Sequence, residues 1–339
     1  MKGLFLTTLI AVLFGGFVFA QAGRPVSKEP STILYAIPQG SGAKAIAEGL
    51  KKAKLIRSPK YFLFTVWSRG DQAKFKAGTY ELTPSMSTRE IEAYLAKGEP
   101  ASDEISVTLL EGWTLDDIAD HLQEAGLATR EEFYAEAGES AKSAWGLPDW
   151  SSSYPALASR PAGASLEGYL FPDTYRVYAD GGAKPLVRRM LDNFEDKLTP
   201  DLRAEIKAQG RTIHEIVTMA SIIEREVRSD EDRALVSGIF WKRVEAGRGL
   251  EADSTVNYIT GHSKPSVSYE DTRIDHPWNT YRYRGLPPGP IGNPSLSAII
   301  AAIRPKTSPY WYFLTDPEGK VWYGRTLDEH NENRVNHLR

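Results

Sequence analysis

The chain has 339 residues, enough for two or three domains with buried cores. Its apolar, aromatic and charged fractions (41%, 11% and 25%) are ordinary for a globular protein, and a net charge of −3 offers no electrostatic grip on nucleic acid. With no cysteine it has no disulfides, thiolate nucleophile or cysteine-bound metal.

After Met1-Lys2 an apolar run extends from Gly3 to Ala20, interrupted only by Thr7 and Thr8. As a helix it covers roughly 27 Å, just enough to cross a hydrocarbon core. Residues 1–22 are therefore expected to be a transmembrane anchor. Val18-Phe19-Ala20 before Gln21 would equally serve as a signal-peptide cleavage site. Both readings carry the rest of the chain across the membrane. Residues 23–31, small, polar and proline-containing, read as a linker.

A strand–turn–helix pattern then occurs twice. Ile33–Ile37 reads as a strand, followed by a turn at Gly40 and a helix with Ile46, Ala47, Leu50, Ala53 and Leu55 on its apolar face. Ile105–Leu110, Gly112 and a helix with Ile118, Ala119, Leu122, Ala125 and Leu127 repeat it. The shared spacing predicts a duplicated small α/β module. Between the copies, residues 75–82 read as a turn into a strand, and Ser87 or Thr88 caps a further helix. Residues 138–164 mark a loop or boundary. Helices are predicted over Leu186–Lys197, Pro200–Gln209, Thr212 to about Arg228, and Glu231–Ala246, before Gly/Pro-rich loops and an aromatic strand at Tyr310–Leu314.

In the Thr212–Arg228 helix, Ile213, Ile216, Val217, Ala220 and Val227 share one face, and Glu224 lies among them. Glu226, turned about 200° away, is expected to be solvated. A desolvated carboxyl at position 224 suits a general acid. A structural carboxylate neutralised by a buried arginine would give the same pattern. Downstream, Asp253 places a second acid near a hydroxyl and a phenol. The Trp278–Pro294 stretch combines rigid prolines, permissive glycines, aromatics and asparagines, as a sugar-binding groove or a structural crossover loop would. Leu166–Tyr175 has similar character. The six histidines show no metal-ligand spacing, so no metal is expected.

Eight stretches resemble the endolytic murein transglycosylase family of membrane-anchored bacterial wall enzymes: FKAGTYEL (75–82), LEGWTLDDIADHL (110–122), LEGYLFPDTY (166–175), VTMASIIERE (217–226), DSTVNY (253–258), NTYRYRGLPPGPIGNPSLSAI (279–299), YWYFLTDPEG (310–319) and TLDEHN (326–331). The resemblance implies an α+β fold: a transmembrane helix, LysM-like modules over 32–102 and 103–160 (the latter with its connecting loop), and a catalytic domain over 161–339. It implies Glu224 as sole catalytic acid and base. The bond between N-acetylmuramic acid and N-acetylglucosamine would be cut without water, leaving 1,6-anhydro ends and terminating glycan elongation, with no cofactor. Glu167, Asp253, Asn279, Tyr281 and Asn293 are substrate-binding candidates by motif position. The implied setting is the inner membrane, single-pass, with the catalytic domain outside the cytoplasm. Implied partners are glycan strands and, beside them, peptidoglycan synthases. A hydrolytic muramidase using Glu224 with Asp253, and a non-catalytic wall-binding scaffold, are the competing readings.

Overall fold

The computed structural model describes residues 21–28, 31–98, 104–140, 148–179, 181–261 and 266–338. The expected anchor, apart from its last two residues, lies outside them. No helix among the described residues is long and apolar enough to cross a membrane. The chain forms two compact units, one up to Glu104 and one from Ile105 onward.

In the first unit, β1 (Ile33–Ile37) pairs antiparallel with β2 (Gly78–Leu82), Tyr35 facing Tyr80. Two helices, α1 (Ala43–Lys52) and α2 (Pro59–Arg69), lie between them in sequence, and α3 (Thr88–Ala96) follows. Ser58 caps α2 ahead of Pro59 at its first position, and Ser87 with Glu90 closes a capping box on α3. The core gathers Ile46, Ala47 and Leu50 of α1, Phe62 and Val66 of α2, Tyr80 and Leu82 of β2, and Ile91 and Leu95 of α3. The expected linker is not free. Val26 and Ser27 donate backbone N–H groups to the Pro84 carbonyl, and the Arg57 guanidinium holds the carbonyls of Pro25 and Val26.

β3 (Glu104–Thr108) begins at the boundary, and the second unit continues with α4 (Leu115–Glu124) and α5 (Arg130–Ala137). The duplication read from spacing holds locally. Ile118, Ala119 and Leu122 are buried on α4 as Ile46, Ala47 and Leu50 are on α1, and Gly112 and Gly40 both take positive φ, 77° and 80°. Residues 103–160 are nevertheless not a separate module. β3 takes its partner from β4 (Thr174–Tyr178), and α4 shares one core with everything downstream. A lone strand–helix unit buries too little surface to stand alone, so this copy takes its second strand from beyond residue 160.

That core is built on helices α6 (Ala183–Lys197), α7 (Pro200–Ala208), α8 (Ile213–Glu226), α9 (Asp230–Glu245), α10 (Asp253–Thr260) and α11 (Leu296–Ile303). A hairpin, β5 (Tyr312–Thr315) and β6 (Val321–Gly324), and helix α12 (Leu327–His337) close the chain. α8 starts from a Thr212–Glu215 capping box and packs against α7, α9, α10 and α11. Every side chain from Ile216 to Ile223 is buried, so the helix meets solvent only near its two ends, at the C-terminal one through Glu224, Arg225 and Glu226.

Candidate active site

Glu224 sits at that end. Val227 leaves the helix in an extended conformation (φ −146°, ψ 156°), and the chain turns at once into α9, capped by Ser229. The turn brings Arg233, one turn into α9, back over Glu224, with Nη2 donating to Oε1 at 2.6 Å. Oε2 accepts the backbone N–H of Ser295 at 2.9 Å and the Ser295 hydroxyl. Ser295 is the N-cap of α11, its Oγ also accepting from the Ala298 N–H. The carboxylate thus lies at the positive end of a helix dipole and against a guanidinium. Its side chain is 7% exposed and that of Arg233 11%. The buried arginine of the second sequence reading is present, as Arg233, beside the inward-facing carboxyl of the first.

The loop before α4 runs over this carboxylate. A Cβ placed on Gly112 would stand 3.6 Å from the Glu224 Cγ. Gly112 N–H donates to the Asn293 carbonyl, Asn293 N–H returns to Trp113, and Arg225 reaches the Gly112 carbonyl. Gly292 is required here by approach: a Cβ would come within 2.6 Å of the Gly112 carbonyl oxygen. Glu111, on the same loop, is exposed. Its carboxyl is held above the ordinary glutamate range, first by desolvation and then by the negative charge of Glu224, with Arg233 acting against both. Sequence reading missed Glu111; its signal was the Glu-Gly pair preceding α4, inside the 110–122 stretch.

Three groove candidates are placed inside the protein instead. Glu167 is 3% exposed. It accepts from the N–H of Leu115 at the start of α4, the Ser140 hydroxyl, the Tyr258 phenol and the Asn293 amide. Four donors favour the charged form, but burial outweighs them and pushes the carboxyl up to about 8. Asn293 donates to the Trp113 carbonyl and accepts from Leu170 N–H, tying three segments together. Asn279 is fully buried, its amide donating to the carbonyls of Thr272 and Ile274 and its oxygen accepting from Tyr281 N–H. Loops rich in glycine and proline leave their backbone groups without regular partners, and these side chains supply them.

Asp253 and Tyr281 remain accessible. The Tyr281 phenol donates to Asp253 at 2.5 Å, beside Glu226, which accepts from the Ser254 hydroxyl at 2.6 Å. Glu226 is not the solvated residue expected from its helix angle. It is half-buried because α10 covers that side of α8, and burial with the Asp253 charge raises its carboxyl. The proline loop is fastened by His214, whose Nε2 meets the Pro288 carbonyl and whose Nδ1 meets the Tyr169 phenol, both at 2.8 Å. The Ser221 hydroxyl accepts from Ile291 N–H. Among the described residues no group of side chains is arranged to hold a metal ion.

The YceG-like family model matches residues 35–336. The chain belongs to the YceG-like family. This YceG-like chain is 32% identical over 323 residues to a Streptococcus pneumoniae protein named endolytic murein transglycosylase, covering 90% of the chain and 58% of that relative. It is 31% identical over 333 residues to a Bacillus subtilis protein of the same name, covering 96% and 91%. It thus spans little more than half the length of the streptococcal relative and nearly all of the other. A crystal structure of a YceG-like protein from Listeria monocytogenes superposes with a TM-score of 0.59 at 31% identity, covering 90% of this chain and 99% of that one.

Proposed function

We propose that this YceG-like protein is a lytic transglycosylase that cleaves peptidoglycan glycan strands, with Glu224 as its acid and base. The observation that carries the reading is the Glu224 carboxylate at the C-terminal end of a buried helix, oriented by Arg233 and Ser295. The names of the two relatives support the substrate class. In the reaction, Glu224 donates a proton to the glycosidic oxygen as the bond from muramic C1 breaks. The muramic C6 hydroxyl oxygen then bonds to C1, and its proton returns to Glu224, closing a 1,6-anhydro ring. The substrate supplies its own nucleophile, so one carboxylate suffices where a hydrolytic glycosidase needs two at a defined separation. Arg233 and Ser295 hold the carboxylate in one orientation, and Glu111 stands on the loop that runs over it.

Asp253, the nucleophile of the muramidase reading, is engaged by Tyr281, which suits positioning of substrate better than attack. Strand–helix–helix–strand order in the first unit supports a wall-binding, LysM-like role. The apolar run Gly3–Ala20 supports a membrane anchor with both units outside the cytoplasm.

Mass spectrometry of products from purified uncrosslinked glycan strands tests the reading. Anhydro-ended fragments, one water lighter than reducing ends and absent with Glu224→Gln, are expected. Reducing ends would establish hydrolysis. No cleavage by folded, wall-binding protein would establish a scaffold.

A further inference from the structure

The segment from Lys51 to Arg69 carries six cations and no acid, in a chain whose net charge is −3. Five of the cations fall between Lys51 and Lys60, at the end of α1 and the start of α2. α2 then turns two large rings outward. Trp67 is 73% exposed and Phe64 43%, with ring centroids 6.5 Å apart, one helical turn beyond exposed Lys60. The opposite side of α2 is buried in the core through Phe62, Thr65 and Val66. An exposed aromatic face beside a cluster of cations is costly in water and suits a boundary where one side is apolar and the other anionic.

The chain's own path says which boundary. Tyr61 flanks this face, about 60° from Phe64 around the helix. Gly23 lies directly against its ring: a Cβ there would come within 2.6 Å of it. Thr88 N–H holds the Gly23 carbonyl, and Arg57 holds the carbonyls of Pro25 and Val26. The apolar run ends at Ala20, so about 10 Å of chain at most separates it from Gly23. If that run spans the bilayer, α2, about 16 Å long, stands at headgroup level.

We infer that the Phe64–Trp67 face of α2, with the cations of residues 51–60, docks on the anionic phospholipid surface where the N-terminal apolar run enters the membrane. Phe64 and Trp67 sink among the headgroups, and the exposed lysines meet lipid phosphates. The inference rests on the membrane-anchor reading and not on the catalytic one. It makes the first unit a fixed foot on the bilayer instead of a tethered body.

The test exploits the absence of cysteine. Full chain carrying Ser68→Cys, labelled with an environment-sensitive fluorophore, is reconstituted into phosphatidylcholine vesicles with and without phosphatidylglycerol, each containing a shallow nitroxide lipid. Quenching about twofold stronger with phosphatidylglycerol, together with shielding from aqueous iodide, is expected; Phe64→Ser/Trp67→Ser should abolish both. These substitutions are at exposed positions, and circular dichroism checks the fold. A label that floats with the vesicles yet stays open to iodide overturns the docking while leaving the anchor intact. Equal quenching in both lipids overturns the anionic selectivity. Protein that does not float overturns the anchor reading and the docking with it.

Discussion

The Glu224 carboxylate accepts the backbone N–H of Ser295 at 2.9 Å, across 71 residues of sequence, so the start of one helix is capped by a side chain from the end of another. The hydroxyl of the same serine serves both ends, donating to Glu224 and accepting from Ala298 N–H. Orientation of the acid and stability of α11 are therefore linked.

Ser295→Ala removes the hydroxyl and leaves the backbone donor. Loss of the cap should cost about 1 kcal/mol of stability. Loss of one hydrogen bond to the carboxylate should lower kcat by about tenfold, with KM little changed. Thermal unfolding and steady-state cleavage of glycan strands measure the two effects separately.

Arg233→Met strands a largely buried carboxylate. Removing one partner of such a pair costs about 3–5 kcal/mol. Arg233→Lys, which keeps the charge, should recover part of that. In the double variant Glu224→Gln/Arg233→Met the penalty should fall well short of the sum of the singles, because no unpaired charge is left. Denaturant unfolding of the parent, both single variants, the double variant and Arg233→Lys decides it; additive losses would mean the pair is not coupled.

Glu111→Gln deletes the negative charge over the site. The Glu111 carboxyl itself is held above the ordinary glutamate range, so the variant's pH–rate profile should lose the inflection that ionisation of Glu111 contributes. A uniform drop in rate with an unmoved profile would show that Glu111 only shapes the loop.

Glu167→Gln probes stability. With its carboxyl raised to about 8 in the folded protein, the folded state holds a proton that the unfolded chain releases near 4.5. Its contribution is therefore complete below about pH 4.5 and is lost as pH climbs toward 8, at roughly 1.4 kcal/mol per unit of separation. Glutamine can accept from Leu115 N–H and donate to the Ser140 or Tyr258 oxygen, so it mimics the protonated acid. Between pH 5 and 8 the variant's unfolding midpoint should be flatter than that of the parent.

Much of this is legible in the sequence, and the failures have a common cause. Local spacing discloses the repeated strand–turn–helix units, down to Gly40 and Gly112 and the paired positions Ile46 and Ile118. It also places Glu224 on the inward side of its helix. A helical wheel, however, assumes one wet side, and α8 is enclosed nearly all round, which is why Glu226 is half-buried against Ser254. Arg233 lies beyond a helix break and Ser295 far beyond another, so no periodicity joins them to Glu224. The polar residues expected along a groove, Glu167, Asn279 and Asn293, do stand out in the sequence. They answer the unpaired backbone of irregular loops, a demand that composition alone does not distinguish from ligand binding.

Gly112, Glu167, Glu224 and Asn293 meet although each is separated from the next by more than fifty residues. Contacts this distant in sequence pay their loop-closure entropy before they return any stabilisation, and they form late. A chain emerging from its N-terminal end has Glu224 in place well before Ser295 arrives to orient it. Under the proposed function, a chain that stops short of Ser295 carries Glu224 without the hydroxyl and backbone donor that orient it.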